Sequence, residues 1–172
     1  MKKSGGKSSG KKITILLFKQ VKRGEKMKYS FYFDGHVMPM QRPRVTRSGM
    51  SYLPKETQKS KREIAGAFKD KYKDADPFTG PVSVEITIYR PMTKALAKKV
   101  DVATRHRRAL DVVTMSPATK PDIDNQVKTI LDALEGLAYV NDSQVVDLVA
   151  HKRYINYDAE SEYAFIEIGE IK

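Results

Sequence analysis

The sequence predicts a small α+β domain, with a mixed β-sheet and helices packed on one face. Residues 82–89 read Val-Ser-Val-Glu-Ile-Thr-Ile-Tyr and alternate apolar with polar side chains, as half-buried strands do. Residues 122–138 repeat their apolar side chains at helical spacing, through Val127, Ile130, Leu131, Leu134 and Leu137 or Ala138. The complete order of predicted elements, β-α-β-loop-α-β-β, favours a single mixed sheet.

The first half of the chain contains one further strand and one further helix. Aromatic side chains dominate residues 29–34, which predicts a strand that ends at an Asp-Gly turn. Two prolines exclude a helix over residues 38–47 and keep the backbone extended. Pro54 can open a helix, and apolar residues at helical spacing extend that helix over residues 55–73.

The second half predicts a long loop and two strands. Residues 91–119 show no regular spacing of apolar side chains and are expected to form a long loop with some helix. A loop of this length in a compact domain is often functional. Residues 144–149 form a short apolar strand, and residues 163–171 alternate again as the last strand.

Length and composition restrict the class of protein. With 172 residues the chain forms one domain with a real core. It contains no cysteine, so it has no disulfides and no thiolate zinc site, which fits a reducing cytoplasm. The apolar run at residues 13–18 is far shorter than a membrane span of about 20 residues and predicts no membrane association. Three scattered histidines, His36, His106 and His151, lack zinc-like spacing and are interpreted as surface or structural residues.

The N-terminal segment is expected to be a flexible, basic extension. Residues 1–26 contain nine Lys or Arg and one Glu, and the first ten are Lys, Gly and Ser apart from Met1. The four residues before Met27, Arg-Gly-Glu-Lys, can be encoded by a ribosome-binding sequence. We therefore expect Met27 to be the true start and residues 27–172 to be the functional domain.

The net charge of +11 is unevenly distributed and predicts a polyanionic partner. Residues 40–62 and 91–119 are basic, whereas residues 121–172 contain eleven acidic and four basic residues. Basic side chains in the first two segments are expected to bind backbone phosphates of nucleic acid: Arg42, Arg44, Arg47, Lys98, Lys99, Arg105, Arg107 and Arg108.

Two short polar blocks in the acidic part predict a metal site. The first, Pro-Asp-Ile-Asp-Asn, places Asp122 and Asp124 at the start of the predicted helix, with Lys128 one turn further along. Residues i and i+2 share a face in extended backbone, so both carboxylates can face one point. The second block contains Asp142, which must return in space to join them. Carboxylates bind Mg²⁺, and a metal beside a lysine can cut a phosphodiester.

Each of these residues also has an ordinary structural interpretation. Asp124 can cap the helix, which stabilises it by ~1 kcal/mol. Lys128 can pair with Asp124 or Asp132, worth ~0.3–0.5 kcal/mol on a surface. Asp142 after Asn141 can be a turn residue. The Asp-x-Asp pattern alone also occurs in nucleotidyltransferases, glycosyltransferases and phosphatases, so it leaves the enzyme class open.

The combination of blocks resembles the RusA family of Holliday-junction resolvases over about residues 28–170. The resemblance rests on three motifs: Pro121-Asp122-Ile123-Asp124-Asn125 with Lys128, Leu131-Asp132-Ala133-Leu134, and Asn141-Asp142-Ser143-Gln144-Val145-Val146. Three shorter segments are also similar to the family: Pro39 to Arg44, Tyr52-Leu53-Pro54 and Lys152-Arg153.

The resemblance implies a homodimer that nicks four-way DNA junctions symmetrically, in recombination and repair, with Mg²⁺ or Mn²⁺ as the cofactor. It places the catalytic and metal-binding carboxylates on Asp122, Asp124 and Asp142, and the essential lysine on Lys128. It also implies a bacterial or phage origin, since many members are carried by prophages. Two other functions stay open: a nuclease for flaps, forks and other branched DNA, and a non-catalytic nucleic-acid-binding protein whose aspartates only cap and pair.

Overall fold

The computed structural model describes residues 28–105, 117–155 and 161–171, with the backbone alone for residues 100–105. These ranges form six strands, three α-helices and a 3-10 turn at Asp142–Gln144. In chain order they are β1 (Lys28–Asp34), β2 (Arg44–Val45), β3 (Ser51–Tyr52), α1 (Lys55–Lys71), β4 (Val82–Pro91), α2 (Lys94–Arg105), α3 (Ile123–Leu134), β5 (Val145–Ile155) and β6 (Tyr163–Glu170). None of these helices is long and apolar enough to cross a membrane.

Four strands form one mixed sheet in the order β1-β6-β4-β5. The pair β4–β5 is parallel, whereas β6 pairs antiparallel with both β1 and β4. A parallel pair requires a long crossover, and the chain between β4 and β5 contains both α2 and α3. The predicted α+β class with a mixed sheet is confirmed, and the short hairpin of β2 and β3 is an addition to it.

The core lies between one face of the sheet and the helices α1 and α3. Phe31, Ile166 and Ile86 are adjacent across β1, β6 and β4, and all three are buried. Helix α1 covers this face with Ile64 and Phe68, and helix α3 covers it with further buried apolar residues, Val127, Ile130 and Leu134. Helices therefore pack on the predicted face, because the alternation of the strands and the apolar stripes of the helices meet there.

Helix α3 is shorter than its apolar pattern predicts. It ends at Leu134, because Glu135 has extended backbone and Gly136 has φ +73°, a left-handed conformation that glycine adopts without strain. Ala138 and Tyr139 stay fully buried although they lie in the loop that follows. Their burial explains why the apolar pattern extends beyond the helix.

Strand β5 is longer than predicted, whereas α2 (Lys94–Arg105) lies within the segment that was predicted as a loop with some helix. The register of β5 with β4 runs from Val145 to Ile155, where the sequence predicts a strand over residues 144–149 only. The second half of β5 contains His151, Lys152 and Arg153, which no apolar period marks as a strand. The predicted N-terminal extension, residues 1–26, lies outside the described residues.

Candidate metal and nucleic-acid site

Asp122 and Asp124 both lie at the N-terminal end of α3 and are exposed. Asp122 is the N-cap residue, with extended backbone (φ −71°, ψ 141°), but its side chain makes no capping hydrogen bond. Asp124 is the second residue inside the helix, so the structure contradicts both a capping role and the predicted extended backbone at this position. Its Oδ1 accepts a 3.4 Å hydrogen bond from Asn125.

Two cations from the sheet hold the segment that precedes α3. Lys152 Nζ, near the end of β5, donates hydrogen bonds of 3.0 Å each to the carbonyl oxygens of Thr119 and Pro121. Arg90 Nη1, near the end of β4, donates a 2.9 Å bond to the carbonyl oxygen of Lys120. Side chains of the parallel strands therefore bind three successive carbonyls directly before Asp122.

Behind this segment lies a polar network centred on Glu162, whose side chain is only 9% exposed. Its carboxylate is 3.4 Å from Arg90 Nε and 2.9 Å from His36 Nδ1. The fully buried Gln126 of α3 donates 2.8 Å to the carbonyl of Val37 and is 3.5 Å from Glu162 Oε1. His36, a surface or structural residue in the interpretation of the sequence, belongs to this network. No spacing in the sequence indicates the network, because its partners lie up to 126 residues apart.

The predicted arginine segment lies beside the start of α3. The backbone nitrogen of Met40 donates a 2.8 Å hydrogen bond to the carbonyl of Asn125, which follows Asp124 directly. Arg42, Arg44 and Arg47 then lie on and beside the β2–β3 hairpin, and all three are exposed. The structure thus brings the segment that leads to these arginines into contact with the start of α3.

Lys128 pairs with Asp132, not with Asp122 or Asp124 at the start of α3. Its Nζ is 3.5 Å from Asp132 Oδ1, an i,i+4 pair, and its side chain is 60% exposed. Lys61 of α1 reaches the other oxygen of the same carboxylate at 3.4 Å. This is one of the ordinary pairings that the sequence allows for Lys128, and an exposed pair of this kind contributes only ~0.3–0.5 kcal/mol.

Asp142 lies at the opposite end of α3 from Asp122 and Asp124. The neighbouring Asn141 caps the 3-10 turn and donates a 3.2 Å bond to Glu135, the C-cap residue of α3. A helix of 12 residues is ~18 Å long, so the two groups are far apart in one chain. Within the described ranges, no three acidic or histidine side chains form a group that could hold a metal ion.

The surroundings of Asp142 include a buried tyrosine. Burial, followed by the charges of Glu135 and Asp142, raises the pKa of the Tyr139 hydroxyl well above its usual value. The hydroxyl therefore stays protonated and donates a 2.8 Å hydrogen bond to the carbonyl of Leu131. This bond ties the turn that leads to Asp142 to the last turn of α3.

The second predicted group of DNA-binding cations is only partly described. Lys98 and Lys99 are exposed on α2. Arg105 is the last residue of α2, and its side chain lies outside the described part of the chain. Arg107 and Arg108 lie outside the described residues altogether.

Comparison with known proteins identifies the family of this chain. The sequence model of a family described as endodeoxyribonuclease RusA matches residues 34–162, which include the β2–β3 hairpin, α3 and β5. The uncharacterized protein YqaN of Bacillus subtilis (strain 168) is 34% identical over 131 residues, covering 74% of this chain and 87% of YqaN. The chain belongs to the RusA family of endodeoxyribonucleases. The resemblance seen in the sequence is therefore confirmed.

Proposed function

We propose that this protein is a Mg²⁺-dependent endonuclease that resolves four-way DNA junctions by paired, symmetric nicks, as a homodimer in the cytoplasm. The observation that carries the proposal is the pair Asp122 and Asp124, which is exposed at the start of α3 and is not used to cap it. The segment that leads to the three arginines contacts the same helix start, through Met40 and Asn125. Two carboxylates supplemented by water and phosphate oxygens are a typical ligand set for Mg²⁺. The donors that are present therefore fit this metal, and Mn²⁺, which accepts the same ligands, is expected to substitute.

Each side chain has a distinct role in this proposal. Asp122 and Asp124 hold the metal, which supplies polarisation of the phosphate and an activated water. Arg42, Arg44 and the cations of α2 bind flanking phosphates and fix the scissile group. Lys128 offsets negative charge that develops in the transition state. Its pair with Asp132 is exposed and weak, so substrate can draw the ammonium away from it.

Asp142 is proposed to act across the dimer. Because it lies at the far end of α3, it cannot complete the metal site of its own chain without a large rearrangement. When a two-fold axis relates two antiparallel copies of α3, the C-terminal end of one helix lies beside the N-terminal end of the other. Asp142 of the partner subunit then approaches Asp122 and Asp124, and two equivalent sites face the two arms of a quasi-symmetric junction.

Metal dependence tests whether the protein is a nuclease or only a binder. Nicking of a labelled junction is expected to need Mg²⁺ and to be lost in Asp122→Asn, while junction binding stays. If wild-type protein and Asp122→Asn bind equally and neither nicks at any Mg²⁺ concentration, the non-catalytic alternative holds.

A mixing experiment tests whether Asp142 acts across subunits. Asp124→Asn and Asp142→Asn are each expected to be inactive alone, and a heterodimer of the two contains one intact site and one doubly substituted site. The co-expressed heterodimer is therefore expected to nick one strand of the junction. If the heterodimer is as inactive as the two separate variants, each site takes all its residues from one chain.

A further inference from the structure

The face of the sheet that points away from α1 and α3 carries a group of aromatic side chains at one end. The strand registers place Tyr32 of β1 beside Phe165 of β6, and Tyr163 of β6 beside Tyr89 of β4. We call these four residues the aromatic band. None of them is buried, and Tyr32 is 56% exposed. Four rings on three adjacent strands are therefore at least partly open to solvent.

The rings of the aromatic band hold one another in place. Tyr89 and Tyr163 are stacked, with ring centroids 4.6 Å apart and planes inclined by 20°. Tyr32 lies 4.7 Å from the centroid of Phe165 and 6.2 Å from that of Tyr163. Because the rings already pack together, little side-chain freedom is lost when a further flat ring stacks on them.

The other end of the same face is acidic. Glu167 and Glu85 are adjacent across β6 and β4, and Asp147 follows on β5. Lys28 of β1 pairs with Glu167 at 2.7 Å, which leaves the remaining carboxylates in excess. This half of the face therefore repels a polyanion.

Positive charge lies beside the aromatic band instead. Arg153 of β5 is adjacent to Tyr89 of β4; it is exposed, and its Nη2 donates a 3.1 Å hydrogen bond to Nδ1 of His151. Strand β4 ends directly after Tyr89 and leads into the basic segment 91–119, where α2 exposes Lys98 and Lys99. The one carboxylate in the same two rows of the sheet is Asp34, on the far edge strand. A polyanion is therefore attracted to the aromatic end of this face.

The aromatic band lies back to back with the segment that precedes Asp122. Arg90 and Lys152, which bind the carbonyls of residues 119–121, alternate along β4 and β5 with Tyr89 and Arg153. Successive side chains of a strand point to opposite faces of the sheet. The two groups therefore share one end of the sheet, and a DNA strand that passes over this end can contact both.

We infer that the aromatic band binds single-stranded DNA by stacking unpaired bases on its rings, while the positive charge beside it attracts the phosphates. Four-stranded sheets that bind single-stranded RNA stack two or three bases on aromatic side chains of the sheet. Here the two central strands, β6 and β4, carry three of the four rings: Tyr163, Phe165 and Tyr89. The inference goes beyond the proposed function, since base stacking needs neither a metal ion nor a branched substrate.

Fluorescence tests the stacking directly, because the chain contains no tryptophan. Tyr32→Trp places a single reporter in the aromatic band, and Lys28→Trp places one on the same strand and face, in the acidic half. In EDTA, oligothymidylate is expected to quench the emission of Tyr32→Trp and to leave that of Lys28→Trp unchanged. An abasic oligonucleotide of the same length is expected to quench neither. No quenching of Tyr32→Trp, or equal quenching by the abasic strand or in both variants, overturns the inference.

Removal of one ring provides a second, independent test. Tyr32→Ser is expected to weaken oligothymidylate binding by at least about fivefold, the smallest loss typical of one stacked base, whereas Tyr32→Phe keeps the ring and retains binding. Both variants are expected to keep the circular dichroism and the sedimented mass of the wild type. If Tyr32→Ser binds as tightly as the wild type, no base stacks on this ring. If Tyr32→Ser instead changes the sedimented mass, the band is an interface between copies of the chain and the inference is wrong.

Both readouts are made without Mg²⁺ and are independent of catalysis. A protein that stacks bases but never nicks a junction would contradict the proposed function alone. A protein that nicks junctions but shows no quenching in Tyr32→Trp would contradict the stacking alone.

Discussion

Asp122 occupies a position where an aspartate ordinarily caps a helix, yet its carboxylate makes no such bond. A capping bond would stabilise α3 by ~1 kcal/mol, and Asp122 does not contribute this stabilisation. Three carbonyls directly before it are instead held by Arg90 and Lys152. The backbone here is fixed by the sheet, which leaves the carboxylate available for a ligand.

Substitution of Asp124 separates binding from catalysis. Asp124→Asn is expected to abolish junction nicking, because the neutral amide is a poor Mg²⁺ ligand, and to retain or tighten junction binding, because a negative charge is removed. Gel-shift and nicking assays on the same preparation measure both quantities. Asp70→Asn, the same change on the exposed surface of α1, is the control and is expected to leave both unchanged. Lost junction binding in a folded Asp124→Asn variant would contradict the metal role.

Lys128 and Lys61 form a matched pair, because both contact the carboxylate of Asp132. Lys128→Ala is expected to reduce nicking by more than about tenfold, with a loss of at most ~0.5 kcal/mol in the free energy of unfolding. Lys61→Ala is expected to retain nicking. Single-turnover rates and denaturant unfolding measure the two effects. Equal loss of nicking in both variants would show that Lys128 acts only through Asp132.

At the scale of elements, the sequence predicts what local periodicity encodes. The alternation of β4 and β6 and the apolar stripe of α3 place these elements to within a few residues. The length of β5 could not be predicted, because parallel pairing with β4, a tertiary contact, extends it through charged residues. The polar network around Glu162 joins residues distant in the chain, and no spacing indicates it.

The end of α3 gives a prediction about stability. Gly136 has φ +73°, so Gly136→Ala is expected to destabilise the protein by about 1 kcal/mol through left-handed backbone strain. Gly66 lies inside α1, where the methyl group of an alanine would meet open space, so Gly66→Ala is expected to stabilise by ~0.5–1 kcal/mol. Urea unfolding of the two variants measures the change in the free energy of unfolding, which is expected to have opposite signs for the two substitutions. Stabilisation by Gly136→Ala would contradict the account of why α3 ends there.

At the scale of the whole molecule, segments of opposite net charge are brought together. The segment that leads into the basic hairpin is joined to the acidic start of α3 by the bond between Met40 and Asn125, although the sequence places the hairpin and α3 in segments of opposite net charge. The sequence predicted both groups but not their contact, which depends on the tertiary fold. Sequence also could not show that α3 separates Asp142 from the other aspartates within one chain.

The hairpin gives a prediction about salt dependence. Each phosphate contact contributes about one unit to the slope of log binding constant against log salt concentration. Arg42→Ala and Arg44→Ala are each expected to lower the magnitude of that slope by about 1 for junction binding. Lys28→Ala, on the distant edge strand and paired with Glu167, is the control and is expected to leave the slope unchanged. An unchanged slope in both arginine variants would show that the hairpin does not contact the DNA backbone.

The proposed junction-nicking activity is best tested by cleavage of a labelled synthetic four-way junction, beside a linear duplex and a fork, with Mg²⁺ and with EDTA. A junction resolvase is expected to make symmetric, paired nicks in the junction alone, and only when Mg²⁺ is present. Cutting of the fork at a similar rate would show a broader branched-DNA nuclease. Junction binding without any nicking in Mg²⁺ would contradict the claim that Asp122 and Asp124 form a catalytic metal site.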